Sequence, residues 1–367
     1  MTTPSRPSQP GPLQAGPAPQ RKSICFVSET GRVDNPIDDP SVRYRCYHPS
    51  ETLAALGHVC TVTSAKQFFE NPLLDQDVYI FHRPNAVRPG FHTVIQVLRE
   101  SGASLIADYD DLIFGTPEIA LMSSAAKNGT LTEERAIKAF ASNLEGLRHF
   151  DKVTTSTEPL AGYARTFNPG AQVEVVTNLI PASIHSIHEA LATPAIRRRT
   201  TAIGYFAGTR SHDKDFPIVE AVLHRVLLEN PALTLLVVGP VAIPRGIVAL
   251  PNVYTAPVVN YLQLPALMSM CATVIAPLEQ STFNDCKSRV KFLEAALGGC
   301  RLVASPIPDM QAVGADHVTL AATTDDWYEA LSEVPDVAAR QALAQRNFAF
   351  LAQNNKIDGL QALAGMK

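Results

Sequence analysis

The chain has 367 residues, of which 46% are hydrophobic and 18% charged, and its formal net charge is -4 at pH 7. This length and composition predict a globular protein of two domains, each able to bury its own core. The charge balance gives no general attraction to nucleic acid, and no apolar stretch reaches the length of a transmembrane helix. The six cysteines show no CxxC pair and no metal-ligand spacing with histidine, as is typical of reduced thiols in a cytosolic protein.

The first half of the chain alternates strand and helix patterns after a polar start. Residues 1–20 are rich in proline, glycine, serine and glutamine, which predicts a disordered tail and not a signal peptide. Short apolar runs predict strands over residues 23–27, 58–62, 77–81, 104–107, 152–155 and 173–176. Helical patterns lie between them over residues 41–56, 93–100, 133–148 and 156–167. Residues 21–181 are therefore predicted to form a Rossmann-like domain with a parallel, doubly wound sheet.

Polar residues follow several of these strands or open the helix after one. Ligands of doubly wound sheets bind outside the carboxyl ends of the strands, so we expect these side chains to rim one crevice. The basic members are Arg43, Arg45, His82 and Arg83, and the acidic members are Asp108, Asp110 and Asp111. The basic side chains have an alternative interpretation as solvated charges at a helix start and at a turn before Pro84.

The acidic cluster is harder to explain as a set of ordinary solvent-exposed charges. Three carboxylates in four residues repel one another unless they bind a cation or sugar hydroxyls, or unless one of them caps a helix. The D-x-D sequence Asp108-Tyr109-Asp110 resembles the metal clamp of single-domain glycosyltransferases. A carboxylate here could also orient or deprotonate a substrate hydroxyl, and Asp110 and Asp111 are the candidates for this catalytic role.

Residues 182–200 lack a clear core pattern and are interpreted as an inter-domain linker. The run Arg197-Arg198-Arg199 within it predicts a solvated face, with contact to anionic lipid as the alternative. A second alternation follows, with strands at 202–206, 233–238 and 273–278 and helices at 216–229 and 260–270. It predicts that residues 201–339 form a second Rossmann-like domain, and helices are expected over residues 340–367.

The loop after the first strand of the second domain combines glycine with cations. A glycine turn between the first strand and first helix of a Rossmann-like unit is the usual cradle for phosphate. This loop contains Gly208, Thr209, Arg210 and Lys214, so we expect it to hold a diphosphate. It does not match G-x-G-x-x-G, and a dinucleotide is therefore not indicated.

The most informative stretch is a helix predicted to open at Lys287 and to stop at Gly298-Gly299, before a buried strand at 301–305. Lys287, Lys291 and Glu294 share one stripe of this helix, and Ser288 lies in its first turn. The helix N–H groups and the lysines attract an anion, and the glutamate can accept hydrogen bonds from a ribose. The pattern indicates a phosphorylated ligand. The simpler alternative is an amphipathic helix with a charged outer face.

Together these features resemble the two-domain (GT-B) glycosyltransferases, most closely the retaining group called family 4. The resemblance covers nearly the whole chain after the tail. The residues that carry it are Gly204-Tyr205-Phe206-Ala207-Gly208-Thr209, Val237-Val238-Gly239, Lys287-Ser288, residues 291–299 and Leu302-Val303-Ala304-Ser305. Two further segments, Asn178-Leu179-Ile180-Pro181 and Asp108-Tyr109-Asp110-Asp111-Leu112, resemble the family's signal at the end of the first domain and a stretch of its polysaccharide-assembling branches.

The resemblance implies an α/β fold in which two Rossmann-like domains face each other across a cleft and a final helix crosses back onto the first domain. It implies transfer of a sugar, with retention, from a nucleotide-diphosphate donor to a hydroxyl of a glycan or lipid-linked saccharide, as in polysaccharide or O-antigen assembly. Glu294 would hold the donor ribose. The remaining donor-binding residues would be Gly208, Thr209, Arg210, Lys214, Lys287, Ser288 and Lys291. The acceptor-binding residues would be Arg43, Arg45, His82 and Arg83.

One position departs from the family pattern. The family often has a second glutamate eight residues before the first, and here that position is Cys286. Three alternatives therefore stay open: a nucleotide-sugar epimerase of the same fold, a metal-dependent transferase that uses Asp108 and Asp110, and a non-catalytic sugar-binding protein. We expect a cytoplasmic protein, with peripheral association to the inner face of a membrane as an option, that needs no metal or other cofactor and binds no nucleic acid.

Overall fold

The computed structural model of the protein describes residues 21–32, 34–191, 201–208 and 215–366. Three features of the sequence lie outside the described residues: the predicted tail at 1–20, the arginine run at 197–199, and the loop positions Thr209, Arg210 and Lys214. The described residues form two six-stranded parallel sheets flanked by helices, which confirms the predicted fold class.

The first sheet has the strand order β2-β1-β3-β4-β5-β6. Its strands are β1 (Ser23–Ser28), β2 (Val59–Ser64), β3 (Val78–His82), β4 (Ser104–Tyr109), β5 (Lys152–Thr155) and β6 (Gln172–Val175). Its helices are α1 (Pro40–Val42, Arg43–Tyr47 and His48–Ala55 in succession), α2 (Ala65–Glu70), α3 (Phe91–Glu100), α4 (Pro117–Met122), α5 (Ser124–Lys127), α6 (Glu133–Arg148) and α7 (Glu158–Phe167). The register pairs Ser28 with His82 and His82 with Asp108, so the polar residues at these strand ends lie side by side.

The second sheet has the order β12-β11-β10-β7-β8-β9. Its strands are β7 (Ala202–Phe206), β8 (Thr234–Val238), β9 (Val253–Ala256), β10 (Thr273–Ala276), β11 (Arg301–Ala304) and β12 (Thr319–Leu320). The helices from the linker onward are α8 (Ala182–Leu191), α9 (Pro217–Glu229), α10 (Arg245–Val248), α11 (Leu264–Met268), α12 (Thr282–Asp285), α13 (Val290–Leu297), α14 (Pro308–Gln311), α15 (Thr324–Ser332), α16 (Val337–Gln353) and α17 (Asp358–Leu363). The sequence interpretation missed β9 and α8, because β9 is a short edge strand and α8 lies in the segment interpreted as a linker.

The last two helices belong to different domains. Phe350 and Leu351 of α16 pack in the second domain with Phe292 of α13. The residues around α17 pack instead against the first sheet, where Leu360 and Leu363 join a buried cluster with strand β1. The Lys152 ammonium donates a hydrogen bond to the Leu363 carbonyl at 2.7 Å. The chain therefore crosses back to the first domain as predicted, but only after residue 353 and not from residue 340.

Helix α1 contains a π-helical turn over Arg43–Tyr47, in which the His48 N–H donates to the Arg43 carbonyl. Pro49 explains this turn, because it has no N–H to bond to the Arg45 carbonyl and would crowd that carbonyl in a regular α-helix. π-helical turns frequently occur at functional sites. This one brings the segment 43–45 to the edge of the sheet where β1, β3 and β4 end.

The histidine that follows the π-helical turn makes stability depend on pH. His48 is buried, and its Nδ1–H donates to the Leu179 carbonyl at 2.9 Å while Nε2 is buried without a partner. Burial lowers the pKa of His48 to about 4, and the nearby Arg43 charge acts in the same direction.

We expect the free energy of unfolding to fall as the pH drops from 6.5 towards 4. In this range the unfolded chain binds a proton at His48 while the folded chain does not, so protonation favours unfolding. Above pH 6.5 His48 is neutral in both states, and the free energy of unfolding no longer depends on its protonation. The expected loss is about 3 kcal/mol for a shift of this size. Urea unfolding at several pH values measures it. His48→Asn, which keeps a donor for the Leu179 carbonyl, should have a flatter profile, and identical profiles for both proteins would contradict this account.

Candidate active site

A cleft of about 700 Å³ lies between the two domains and is lined by residues of both. On the second domain its floor is formed by the segments after β7 and β10, which include Gly208 and Pro277. The strand order of the second sheet reverses between these two strands. Open α/β sheets bind ligands at such a reversal, outside the carboxyl ends of the strands. The cleft is therefore in the position that the topology favours for a ligand.

The second-domain wall of the cleft includes helix α13, which carries several of the predicted donor-binding residues. This helix begins at Val290 and not at Lys287, so Lys287 and Ser288 lie in the turn that leads into it. Both residues line the cleft together with Lys291. The start of α13 and two lysine side chains thus lie on one wall, where the Arg289 N–H at the N-cap is already bonded to the Asp309 carboxylate. Such an arrangement favours an anion.

Glu294 lies deeper in the same wall and is only 6% exposed. Its carboxylate accepts a hydrogen bond from Lys291 Nζ at 2.8 Å, and the Tyr44 hydroxyl of the first domain lies 3.4 Å from its other oxygen. Burial raises the pKa of Tyr44, with a further contribution from the Glu294 charge, so this hydroxyl remains a donor at neutral pH. Glu294 is thus a buried acceptor that lines the cleft beside the Lys291 ammonium.

Cys286, at the position where the family often has a glutamate, has no comparable role. Its side chain is buried and packs with the core of the first domain. Burial raises the pKa of its thiol to about 12, so the side chain is neutral. Its carbonyl accepts a hydrogen bond from the Thr157 hydroxyl at 2.9 Å. The residue therefore contributes to the contact between the domains.

Asp111 and Lys287 meet across the cleft. The Lys287 ammonium lies 3.5 Å from a carboxylate oxygen of Asp111, and the other oxygen accepts a hydrogen bond from Arg83 at 3.0 Å. The side chains of Lys287 and Asp111 are 25% and 31% exposed, so both are accessible to a ligand. In this arrangement an acid of the first domain faces the anion-binding wall of the second.

Asp110 is placed differently from its neighbour. Its side chain is 12% exposed and bonds to Arg83 Nε at 2.6 Å, to His82 Nε2 at 3.3 Å and to the Ser41 hydroxyl. Burial alone would raise the pKa of Asp110, but the Arg83 and His82 groups hold it well below its usual range. A carboxylate so stabilised is a weak base. Of the two predicted catalytic carboxylates, Asp111 is better placed to act on a substrate hydroxyl, and Asp110 to position the groups around it.

Arg83, which contacts both carboxylates, has an unusual backbone conformation. Its φ is 55°, and it is the only residue other than glycine with a positive φ within the described part of the chain. This conformation costs a non-glycine residue about 1–3 kcal/mol and tends to occur at functional sites. The Arg83 N–H donates to the Asp108 carbonyl at 2.8 Å, which holds the strained residue in place. The guanidinium is thereby directed at Asp110 and Asp111.

Two residues predicted to bind an acceptor do not reach the cleft. Arg45 is 3% exposed, and its guanidinium bonds to both carboxylate oxygens of Asp108, to the Val176 carbonyl and to Asn178. His82 is 1% exposed and lies behind Asp110. All of their neighbours belong to the first domain, so their contacts organise the wall of the cleft and are not available to an acceptor. Arg43 and Arg83, in contrast, do line the cleft.

The same contacts argue against a D-x-D metal clamp. Asp108 is neutralised by Arg45 and also accepts a hydrogen bond from the Thr154 hydroxyl at 2.7 Å. Asp110 is neutralised by Arg83. A divalent cation would have to displace two guanidinium groups, one of them buried, before it could bind both carboxylates. The residues present therefore do not fit the metal that the D-x-D resemblance implied.

The sequence interpretation missed three cleft residues that act between the domains: Tyr44, Asn178 and Tyr261. The Arg43 guanidinium stacks 4.2 Å from the ring centre of Tyr261, which lies in the loop before α11. Tyr44 contacts Glu294 as described, and Asn178 donates to the Ser288 hydroxyl at 2.9 Å. Arg43 was predicted to be a site residue, and Asn178 lay in a segment that the sequence singled out. Tyr44 and Tyr261 had no signal of their own.

The predicted site residues fall into three groups according to their position. The cleft brings together Gly208, Lys287, Ser288, Lys291, Glu294, Asp110, Asp111, Arg43 and Arg83. Arg45 and His82 lie behind its wall, and Thr209, Arg210 and Lys214 are outside the described residues. The described donor residues and the described catalytic candidates therefore share one cavity.

The fold and the position of its cleft define the GT-B class, in which two Rossmann-like domains face each other across a ligand-binding cleft. The chain has this fold, and the solved structures that it resembles are GT-B glycosyltransferases. The sequence matches no protein-family model and no curated protein.

Three solved structures illustrate the similarity. One is Anabaena Alr3699/HepE in complex with UDP-glucose, at 14% identity and a TM-score of 0.56 over 94% of this chain and 99% of that one. A UDP-forming α,α-trehalose-phosphate synthase from Burkholderia xenovorans has 13% identity and a TM-score of 0.57 over 94% and 97%. An α-glucosyltransferase in complex with UDP-glucose and DNA containing an abasic site has 11% identity and a TM-score of 0.62 over 94% and 98%. Identities this low establish the fold alone.

Proposed function

We propose that the protein is a glycosyltransferase that moves a sugar from a nucleotide-diphosphate donor to a hydroxyl group. The observation that carries the proposal is the meeting of an anion-binding wall and an accessible carboxylate in one cleft. Lys287, Ser288 and the start of α13 form the wall, and Asp111 lies opposite. The neighbours that bind UDP or UDP-glucose support a nucleotide sugar as the donor class.

The donor would lie with its diphosphate at the start of α13 and its ribose at Glu294. Helix N–H groups and the Lys287 ammonium stabilise negative charge as the diphosphate departs, and they do so without a metal. Lys287 would exchange its contact with Asp111 for the phosphate, which leaves Asp111 free to orient or deprotonate the acceptor hydroxyl. Arg83 keeps that carboxylate in position. Tyr261 and Arg43, stacked at the edge of the cleft, are candidates to contact the base.

The finer parts of the proposal come from the sequence resemblance. They are retention at the anomeric carbon, membership of family 4, independence from metal, and an acceptor that is a glycan or a lipid-linked saccharide in polysaccharide assembly. A lipid-linked acceptor would place the protein in the cytoplasm, at the inner face of a membrane. Among the described residues, no helix is long and apolar enough to cross a membrane.

The test is an assay of nucleoside-diphosphate release from UDP-, GDP- and dTDP-sugars, with and without saccharide and lipid-linked saccharide acceptors. The proposal expects release that depends on an acceptor, survives a chelator and yields a product with the donor's anomeric configuration by NMR. Interconversion of two free donors without an acceptor would identify an epimerase. Binding of a nucleotide sugar without turnover would favour the non-catalytic alternative, which Cys286 supports by replacing a family glutamate.

Glu294→Gln is expected to weaken binding of the donor nucleotide by about five- to tenfold. The substitution keeps the shape of the side chain but replaces a charged acceptor by a neutral one, and hydrogen bonds to charged groups are stronger by about 1 kcal/mol. Calorimetric titration with the nucleoside diphosphate measures the change. Glu329→Gln, an exposed substitution on α15, is the control and should bind like the wild type. Equal affinities for all three proteins would remove Glu294 from the donor site.

A further inference from the structure

A cluster of three metal-binding side chains lies on the first domain, away from the cleft. Glu145 and His149 are one helical turn apart at the end of α6, and His92 is in the first turn of α3. One ligand atom from each lies within 4.8 Å of the others, and within the described parts of the chain this is the one such group of three. None of the three lines the cleft. The catalytic proposal leaves this cluster without a role.

The distances are close to those of a coordination sphere. His92 Nε2 is 3.8 Å from a carboxylate oxygen of Glu145, and the centres of the two imidazole rings are 4.8 Å apart. A tetrahedral site with bonds of about 2.1 Å separates its ligand atoms by about 3.4 Å. The side chains of His92 and Glu145 are 57% and 56% exposed, so small rotations are free to close the difference.

The backbone positions of the two histidines are held by packing. Phe91 is 1% exposed, and its ring contacts the His92 ring at 5.4 Å and the His149 ring at 5.5 Å between centres. The Arg99 guanidinium donates a hydrogen bond to the His149 carbonyl. Beyond the His92–Glu145 ion pair, no hydrogen bond within the described residues occupies the ring nitrogens of these histidines or the Glu145 carboxylate. The three side chains are therefore available to bind an ion, and packing holds the backbone of the two histidines in place.

We propose that His92, Glu145 and His149 bind a divalent transition-metal ion, with Zn²⁺ the best match to their chemistry. Two imidazoles and one carboxylate form a ligand set that Zn²⁺ uses in proteins, with a fourth position left for water. The ion would join the end of α6 to the start of α3 and so stabilise the first domain. The sequence showed no sign of a metal site at these residues, because the third ligand comes from a different helix far from the i, i+4 pair.

The experiment is a calorimetric titration of the full chain with zinc chloride alone. The proposal expects one ion per chain, and removal of a ligand should weaken binding by at least about 10–100-fold. The variants are His92→Ala, His149→Ala and the nearly isosteric Glu145→Gln. His224→Ala on α9 is the matched control, because it removes a histidine from the second domain and should leave zinc affinity unchanged.

Thermal melts with zinc and with EDTA complete the design. Zinc should raise the melting temperature of the wild type and of His224→Ala but not of the ligand variants. In EDTA the His92→Ala and Glu145→Gln variants should melt like the wild type, since the side chains that they alter are largely exposed. Failure of the wild type to bind zinc, or unchanged binding in the three variants, would overturn the proposal. Nucleotide binding is unaffected in either case, so the outcome is independent of the function proposed for the cleft.

Discussion

Lys287→Ala is expected to lower the turnover number of the transferase by about 10²–10³, the typical cost of removing one preorganised group that stabilises developing charge. The Lys287 ammonium lies beside the start of α13 and 3.5 Å from Asp111, so among the cations that the structure describes it is the best placed to meet a departing diphosphate. Charge on the leaving group increases in the transition state. The loss should therefore appear in kcat and not only in KM, as measured by steady-state release of nucleoside diphosphate.

The control for this substitution is Lys138→Ala. Lys138 is an exposed lysine of helix α6 that does not line the cleft. Its substitution by alanine removes the same charge from the protein. It should leave kcat and KM unchanged. If Lys287→Ala behaves like Lys138→Ala, the diphosphate does not lie at the start of α13, and the donor site has to be placed elsewhere.

Arg45→Ala is expected to lower the free energy of unfolding by about 3–5 kcal/mol, because it leaves the buried Asp108 carboxylate without its counter-ion. The two side chains are 3% and 4% exposed. They form a bidentate ion pair, with Arg45 Nη2 2.5 Å from Asp108 Oδ1 and Arg45 Nε bonded to Asp108 Oδ2. The same guanidinium also bonds to the Val176 carbonyl at 2.6 Å and to Asn178 at 3.0 Å. Loss of the guanidinium would therefore remove contacts both at the end of β4 and around Val176 and Asn178, where the chain leaves the first domain. Urea unfolding measures the change.

Two comparisons make this result specific. Arg225→Ala breaks an exposed pair with Glu229 on α9, whose side chains are 59% and 50% exposed, and should have a much smaller effect because solvent screens the pair. The double variant Arg45→Met with Asp108→Leu removes both charges and should regain much of the lost stability, since well-packed apolar residues often replace a buried pair at little cost. Arg45→Ala with an effect as small as that of Arg225→Ala would mean that Asp108 is solvated and that Arg45 is free to serve the cleft.

The strands and the general position of the cleft were predictable because they depend on local patterns. Parallel strands are short apolar runs, and the carboxyl ends of such strands form one edge wherever the helices between them are placed. The start of α13 was not predictable in the same way. The Arg289 N–H and its guanidinium are both bound by Asp309, twenty residues further along the chain. This contact from α14 holds the chain out of the helix until Val290, which no local pattern indicates.

The basic residues of the first domain illustrate a second limit. Arg43 and Arg45 are two residues apart in a helical segment, which separates their side chains by about 200°. One was therefore bound to face away from any site that the other lined. Helical spacing carried this signal, but both residues were predicted to bind the acceptor. Deciding which one faced the cleft required the π-helical turn beside Pro49. The contact between Asp111 and Lys287 joins residues 176 positions apart, and only the tertiary fold brings them together.

The central claim is that the cleft binds a nucleoside diphosphate at the start of α13. Calorimetric titration of the wild type, Lys287→Ala and Lys138→Ala with UDP, GDP, dTDP, CMP and ADP tests it most directly. The account predicts that one nucleotide binds the wild type and Lys138→Ala with a stoichiometry of one and that Lys287→Ala binds it at least about tenfold more weakly, a loss of 1.4 kcal/mol or more. Absence of binding to all five, or equal affinity in the three proteins, would contradict the claim.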